Sequence, residues 1–493
     1  MDSTELHNLY HELLPLCRSL TGQGYRDSLS ILSRYLPFTR LHYHSGQEVL
    51  DWTVPPDWTL VRARLWALDA NKDHETLVLD TQDNPLYALN FTEPFSGVLS
   101  RDELDSHLYS YPAVPDAIPY VTSYYKPRWG LCLTQNQRNE LKAPFYRVEI
   151  EVVKSSDRPE DGVTVGEYDL PATVAPETAK TIFISTYLCH SCMLNNELSG
   201  PLVQLMLFEK LKAMPVRRFN YRFIINPETI GSICYLSDHS TELKEKLEYG
   251  LILTCLAAKH GAADTKLSFK LSRADWVSGL KGEKSPYAID RFVRTCANGI
   301  PVVRSTGLDL SPEESAKHAY VRSLGEVHPY DLRSFTPNSG SDERQYCSAS
   351  FNLPVVQASR TVYATYPEYH SSGDNERLFH LDSLFSSANQ LFAFINYYEL
   401  SAIHPIFRQG GGDEPQLGKR NLYPSLNSRT NLNMSNDAIM DGHNLLDLIR
   451  NELSLADGTI SLFELAQYLH TPLSDVFAVY QLLADKGLLT CKH

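Results

Sequence analysis

Four short segments of this 493-residue chain carry side chains whose types and order suit metal-assisted hydrolysis. The first is Cys189-His190-Ser191-Cys192-Met193-Leu194-Asn195-Asn196-Glu197-Leu198-Ser199-Gly200. His190 could offer a nitrogen and Glu197 an oxygen to zinc, which accepts both in four-coordinate sites. The alternative is a hydrogen-bonded loop histidine, with Asn196 and Ser199 capping the next helix. In the second segment, Asn226-Pro227-Glu228-Thr229-Ile230-Gly231-Ser232, Glu228 suits a general base beside a metal. It equally suits a helix start favoured by the dipole.

The third segment, Gly340-Ser341-Asp342-Glu343-Arg344-Gln345-Tyr346, offers in Arg344 a guanidinium for a carboxylate. The fourth, Glu368-Tyr369-His370-Ser371-Ser372-Gly373-Asp374, offers a second imidazole, His370. Taken singly, each also suits a surface loop. Cys189 and Cys192 make a C-x-x-C, but without a second such pair a closed structural zinc site is unsupported.

Such groups need rigid elements behind them, and the apolar spacing supplies these. Thr181 to Thr186 forms a mostly apolar strand, Leu202 to Leu211 has near-helical spacing, and Tyr221 to Ile225 is strand-like again. That order is a βαβ signature, and the first two segments then follow strand ends, where open α/β sheets bind ligands. Leu251 to Cys255 and Leu353 to Val356 are further buried strands, and a long helix is expected over 381–400. A mixed sheet with helices on both faces follows.

Before this region, residues 5–36 predict two helices broken at Gly22 and Gly24. Residues 39–127 predict an all-β unit, with strands at 59–66 and 76–80. Tyr146, Val148, Ile150 and Val152 alternate with charged residues, as in a strand with one buried face. Residues 406–436, including Gly410-Gly411-Gly412, are expected to be a linker. Residues 437–493 then have a winged-helix order: helix 444–453, a short strand at Thr459-Ile460, helices 462–469 and 473–486, and a final Leu488-Leu489-Thr490.

Composition narrows the function classes. The length exceeds what one core supports, so two or three domains are expected. With 43% apolar and 21% charged residues and no stretch of about 20 uncharged apolar residues, no membrane partner is expected. A net charge of −14 without a dense basic run makes nucleic acid an unfavourable partner. The N-terminal residues lack a basic region followed by an apolar one, so the expected location is cytoplasmic. Nine cysteines without framework spacing predict reduced thiols.

Further segments, Arg18-Ser19-Leu20-Thr21-Gly22, Asp51-Trp52-Thr53-Val54-Pro55, Ile118-Pro119-Tyr120, Thr122-Ser123-Tyr124-Tyr125, Trp129-Gly130 and Ser341-Asp342-Glu343-Arg344-Gln345-Tyr346, complete a pattern covering nearly the whole chain. It resembles an aminopeptidase-like family with an inserted β domain and a C-terminal winged helix, related to the zinc aminopeptidase and glutamate carboxypeptidase family. The resemblance implies a zinc-aminopeptidase-like α/β domain over 1–38 and 128–405, with 39–127 inserted. It also implies two zinc ions held by His, a bridging Asp, Glu, a second Asp and His, with a further Glu as base.

His190 matches the first His, His370 the last, and Glu228 the base. Asn196 stands for the bridging Asp, Thr229 for the ligand Glu, and Ala257 and Ala258 where the second Asp is expected. One zinc on His190, Glu197 and His370 with an open fourth position is then the economical arrangement. The implied activity is hydrolysis of a small peptide or amide, with Tyr124, Tyr125, Asp342 and Arg344 shaping substrate binding. The alternative is a catalytically degenerate binding or regulatory protein whose winged helix docks partners, and a homo-oligomer stays open.

Overall fold

The computed structural model describes residues 1–259, 266–300, 325–408, 414–423 and 442–491. The chain divides into two compact units, Met1–Val293 with Asp331–Ala388, and Arg294–Tyr330 with Asn389–His493.

The first unit begins with the two expected helices, Ser3–Leu13 and Gln23–Leu32. Asp2 and Glu5 form a reciprocal capping box at the first, satisfying amides that the helix start leaves free. Gly22 starts the second at φ 97°, where a Cβ would fall 1.9 Å from the Trp58 carbonyl oxygen. Only glycine fits there.

An eight-stranded sheet organises this unit. Its order is Thr39–His44, Gly162–Leu170, Asn220–Asn226, Thr181–Tyr187, Leu247–Leu253, Val355–Ser359, Ser268–Lys270 and Asp331–Arg333. The four strands from Asn220–Asn226 to Val355–Ser359 run parallel, and antiparallel partners flank them. Every residue of Thr181–Tyr187 is buried, so this strand is covered on both faces, as parallel sheets require. Helices Ser199–Lys212 and Ile230–Lys246 follow the two central strands. The carboxyl ends of four parallel strands thus open toward the same edge, from which 188–198, 227–229, 254–258 and 360–374 emerge.

A second, four-stranded antiparallel sheet has the order Glu75–Asp80, Asp57–Leu68, Phe145–Ser155 and Phe95–Ser100. The sheets do not follow a cut at 38 and 127. Thr39–His44 is an edge strand of the large sheet, while Phe145–Ser155 is central in the small one. Its alternation explains this: Tyr146, Val148 and Ile150 point into the small sheet's own core with Ala63 and Leu65.

In the second unit, helices Gly442–Leu455, Leu462–Tyr468 and Leu473–Asp485 precede strand Leu489–Cys491, which pairs antiparallel with Pro405–Phe407. The expected strand at Thr459-Ile460 is absent. Asp457 makes the β-bridge to Ile406 instead, and its side chain accepts the Thr459 amide at 2.8 Å, turning the chain. The expected linker starts inside the 405–407 strand, and its residues 409–413 and 424–436 lie outside the described residues. No helix among the described residues is long and apolar enough to cross a membrane.

Glu452, on the Gly442–Leu455 helix, is fully buried, and neither carboxylate oxygen has a hydrogen-bond partner among the described residues. Burial holds its carboxyl well above the ordinary range. As pH rises past that range, the unfolded chain releases a proton that the folded chain keeps, so folding stability falls until the raised folded value is passed. Glu452→Leu is expected to remove this pH dependence and raise stability at pH 8 by about 1 kcal/mol or more. Thermal melts of both proteins at pH 4 and pH 8 check it: the gap must widen at the higher pH.

Candidate active site

The site is built where strands Thr181–Tyr187 and Asn220–Asn226 end. The Leu188 amide still donates to the Asn226 carbonyl at 2.9 Å, and the chain then turns to present His190. A π-helical turn, Leu194–Leu198, follows and leads into the helix at Ser199. Asp374 holds this turn from another loop, one oxygen accepting the Asn195 amide at 2.7 Å and the other the Asn196 amide at 2.8 Å. Gly200 lets the helix sit against the sheet, because a Cβ there would meet Thr186 Oγ1 at 2.2 Å.

His190 and His370 converge, their ring centroids 5.1 Å apart. Tyr120 closes the third side, 4.9 Å from the His190 ring and 5.4 Å from the His370 ring. His190 has two distinct edges. Nδ1 faces Glu197 Oε2 at 3.0 Å and Cys189 Sγ at 3.3 Å; Nε2 faces Glu228 Oε2 at 3.8 Å. Glu197, expected as an oxygen ligand beside the two histidines, therefore lies on the edge opposite Glu228. Among the described residues, Cys189, His190 and Glu197 have ligand atoms all within 4.8 Å of one another, a set that does not include His370.

Arg18 explains why. Its side chain is wholly buried; Nε donates to the His190 carbonyl at 2.9 Å, Nη1 to the Leu13 carbonyl at 2.5 Å, and Nε lies 3.7 Å from Glu197 Oε1. A cation beside Glu197 balances that carboxylate and opposes a metal ion on the Nδ1 edge. Burial, with Arg18 in addition, pushes His190 down to about 3, and burial with His190 nearby lowers His370 well below the ordinary range. Both imidazoles are therefore neutral and able to offer a lone pair. Burial raises Glu197 to about 8 against the pull of Arg18. Glu228, half-buried, also rises to about 8, through desolvation first and then Asp342.

Asp342 was expected to touch substrate, but it is fully buried. Its oxygens accept from Asn226 Nδ2 at 2.8 Å, the Thr229 amide at 2.7 Å and Ser232 Oγ at 3.0 Å. It holds the turn that carries Glu228. Arg344 is half-buried and Tyr125 is 65% exposed, and both act electrostatically with Glu228. Tyr124 OH bonds Tyr120 OH at 2.5 Å and donates to Asn90 Oδ1 at 3.1 Å, behind Tyr120. Arg18, Tyr120 and Asp374 received no individual role from sequence. Arg18 and Tyr120 lie in family-like segments, but their convergence on His190 is a tertiary fact.

Donor types suited to zinc gather on the Nε2 side of His190, with Glu228 Oε2 at 3.8 Å and a buried His370 Nε2 without a hydrogen-bond partner among the described residues, but His190, His370 and Glu228 do not form a set whose ligand atoms all lie within 4.8 Å of one another. Glu197 behind His190 matches the carboxylate that commonly orients a ligating histidine.

The fold is aminopeptidase-like, as comparison with known proteins shows. A family model described as Domain of unknown function (DUF4910) matches residues 7–297 and 313–401, and a winged helix-turn-helix model matches 408–491. The chain is 31% identical over 419 residues to a Clostridium acetobutylicum protein named as a candidate polysaccharide biosynthesis protein with aminopeptidase-like domain. That alignment covers 85% of this chain and 83% of the relative. A crystal structure from the same organism, named as a candidate peptidase, is 28% identical with a TM-score of 0.75, over 99% of this chain and 96% of the other. A zinc aminopeptidase from Bacillus subtilis is 12% identical with a TM-score of 0.48, over 79% and 94% of the two chains. The chain belongs to the DUF4910 family, aminopeptidase-like proteins that here carry a C-terminal winged helix.

Arg18→Met is expected to cost roughly 3 kcal/mol or more, since two carbonyls and a buried carboxylate lose their partner. Adding Glu197→Gln to it should recover a large part. A double-mutant cycle on denaturation midpoints measures this, and strictly additive costs would contradict the coupling.

Proposed function

We propose that the chain is an aminopeptidase-type hydrolase of small peptides or amides that uses one zinc ion held by His190 and His370. The observation that carries this reading is the pair of neutral imidazoles 5.1 Å apart, with Glu228 beside the free edge of one. When bound, zinc polarises a carbonyl and makes water a better nucleophile. Glu197 fixes the His190 ring from behind. Glu228 takes a proton at its carboxylate, and its raised affinity for protons suits it to pass that proton to a leaving amine. Arg344 and Tyr125, near Glu228, would engage the substrate's polar end, and Tyr120 packs against both imidazoles.

A second reading, a peptide-binding protein without turnover, has one observation in its favour. Asn196 Nδ2 donates to Tyr187 OH at 2.9 Å and to Cys255 Sγ at 3.5 Å, and Ala257 and Ala258 are fully buried, so the positions of two acidic ligands hold packing groups.

Metal analysis of full-length protein with an assay on unblocked di- and tripeptides separates the two. His190→Ala and His370→Ala should each lose the ion and the activity. Glu228→Gln should keep the ion and lower kcat by roughly 100-fold or more. Unchanged zinc content in His190→Ala would sink the zinc reading; bound zinc without any turnover would leave the binding protein.

A further inference from the structure

We propose that His7, His11 and Glu376 form a second transition-metal site, separate from His190, that takes a zinc-like divalent ion. It would staple the N-terminal helix to the loop bearing His370. His7 and His11 lie four residues apart on helix Ser3–Leu13, one turn from each other on the same face. Their Nε2 atoms are 3.1 Å apart, and Glu376 Oε1 is 2.9 Å from His11 Nε2. All three ligand atoms lie within 4.8 Å of one another. A tetrahedral zinc with bonds of about 2.0–2.1 Å needs ligand atoms about 3.3 Å apart, so these spacings suit one shared ion.

Two further features hold the atoms in place. The helix cannot turn, because its capping box fixes its start and Leu6, Leu9, Tyr10 and Leu13 are buried on its other face. Glu376 follows Asp374, whose carboxylate is anchored on the 195–196 amides, and Tyr10 OH donates to Glu376 Oε1 at 3.2 Å. That hydroxyl orients the carboxylate as outer partners orient metal ligands. The three side chains are exposed, and His11 and Glu376 line a surface cleft of about 840 Å³, which leaves room for water as a fourth ligand. Two imidazoles and one carboxylate suit zinc or cobalt better than calcium or magnesium, which favour oxygen alone.

The test uses full-length, chelator-treated protein titrated with Co²⁺ and Zn²⁺ alone. Wild type should bind one more equivalent than His7→Ala/His11→Ala, with the visible absorption of tetrahedral cobalt, and Zn²⁺ should raise the Tm of wild type by more than that of the double variant. Glu376→Gln, which keeps the side chain's shape, should weaken this equivalent by 100-fold or thereabouts, at or beyond the roughly 10–100-fold typical of losing an outer partner. The same difference is expected in a His190→Ala background, so the outcome is independent of the proposed catalytic ion. Identical isotherms for wild type and His7→Ala/His11→Ala would overturn the proposal.

Discussion

A guanidinium with no access to water governs the arrangement of the site. Arg18 must find its partners inside the protein, because an unpaired buried charge costs several kcal/mol. It finds them in three places at once: the end of the first helix at Leu13, the backbone of His190, and the carboxylate of Glu197. Ser19 and Ser191 extend the lock, since Ser19 Oγ donates to Asn90 Oδ1 and Ser191 Oγ to the Arg18 carbonyl. The loop between the first two helices is therefore fastened to the strand end that carries the histidine. The same cation decides which ring edge is available, since it occupies the electrostatic niche on the Nδ1 side.

Around this lock the backbone is held in uncomfortable conformations. Cys192, Thr229, Cys255 and His370 all have φ between 53° and 67°, and each lies in a segment leaving the carboxyl edge of the sheet. For Thr229, β-branched, this region is a genuine outlier. Such residues cost on the order of 1–3 kcal/mol each and persist only where the surroundings over-determine them. Three hydrogen bonds to Asp342 do this for the turn holding Glu228. For His370 the restraint is its carbonyl, which accepts the Tyr120 amide at 2.7 Å. The strained residues include His370 itself and Thr229, the residue after Glu228.

Much of the scaffold was legible in the chain, because it rests on local period. The alternation at 146–152 gave a strand with one buried face, the apolar runs at 181–186 and 221–225 gave parallel strands, and Gly22 and Gly24 marked the break between the first two helices. The convergence of His190 with His370 was legible only through the resemblance. Side-chain direction at strand ends was not legible. Glu197 sits in a π-helical turn, whose extra residue per turn rotates it out of the register a regular helix would give; it faces the Nδ1 edge. Asp342 sits in a segment that suits an exposed loop, yet the demand of three donors 110 to 116 residues earlier in the chain draws it inside. Non-local hydrogen bonds of this kind leave no periodic trace.

The last wall of the site comes from the segment that follows the small sheet's third strand. Residues 118–120 run against 370–372 as a short antiparallel ladder: the Tyr120 amide bonds the His370 carbonyl, the Ser372 amide bonds the Ile118 carbonyl, and Pro119 bridges Ser371. This ladder places the Tyr120 ring against both imidazoles. Desolvation is the leading cause of the lowered proton affinity of His190 and His370. A segment some 70 residues before one and 250 before the other thus contributes to their burial. The sheet positions the rings, and the 118–120 segment adds a third wall on which Tyr120 packs beside both of them.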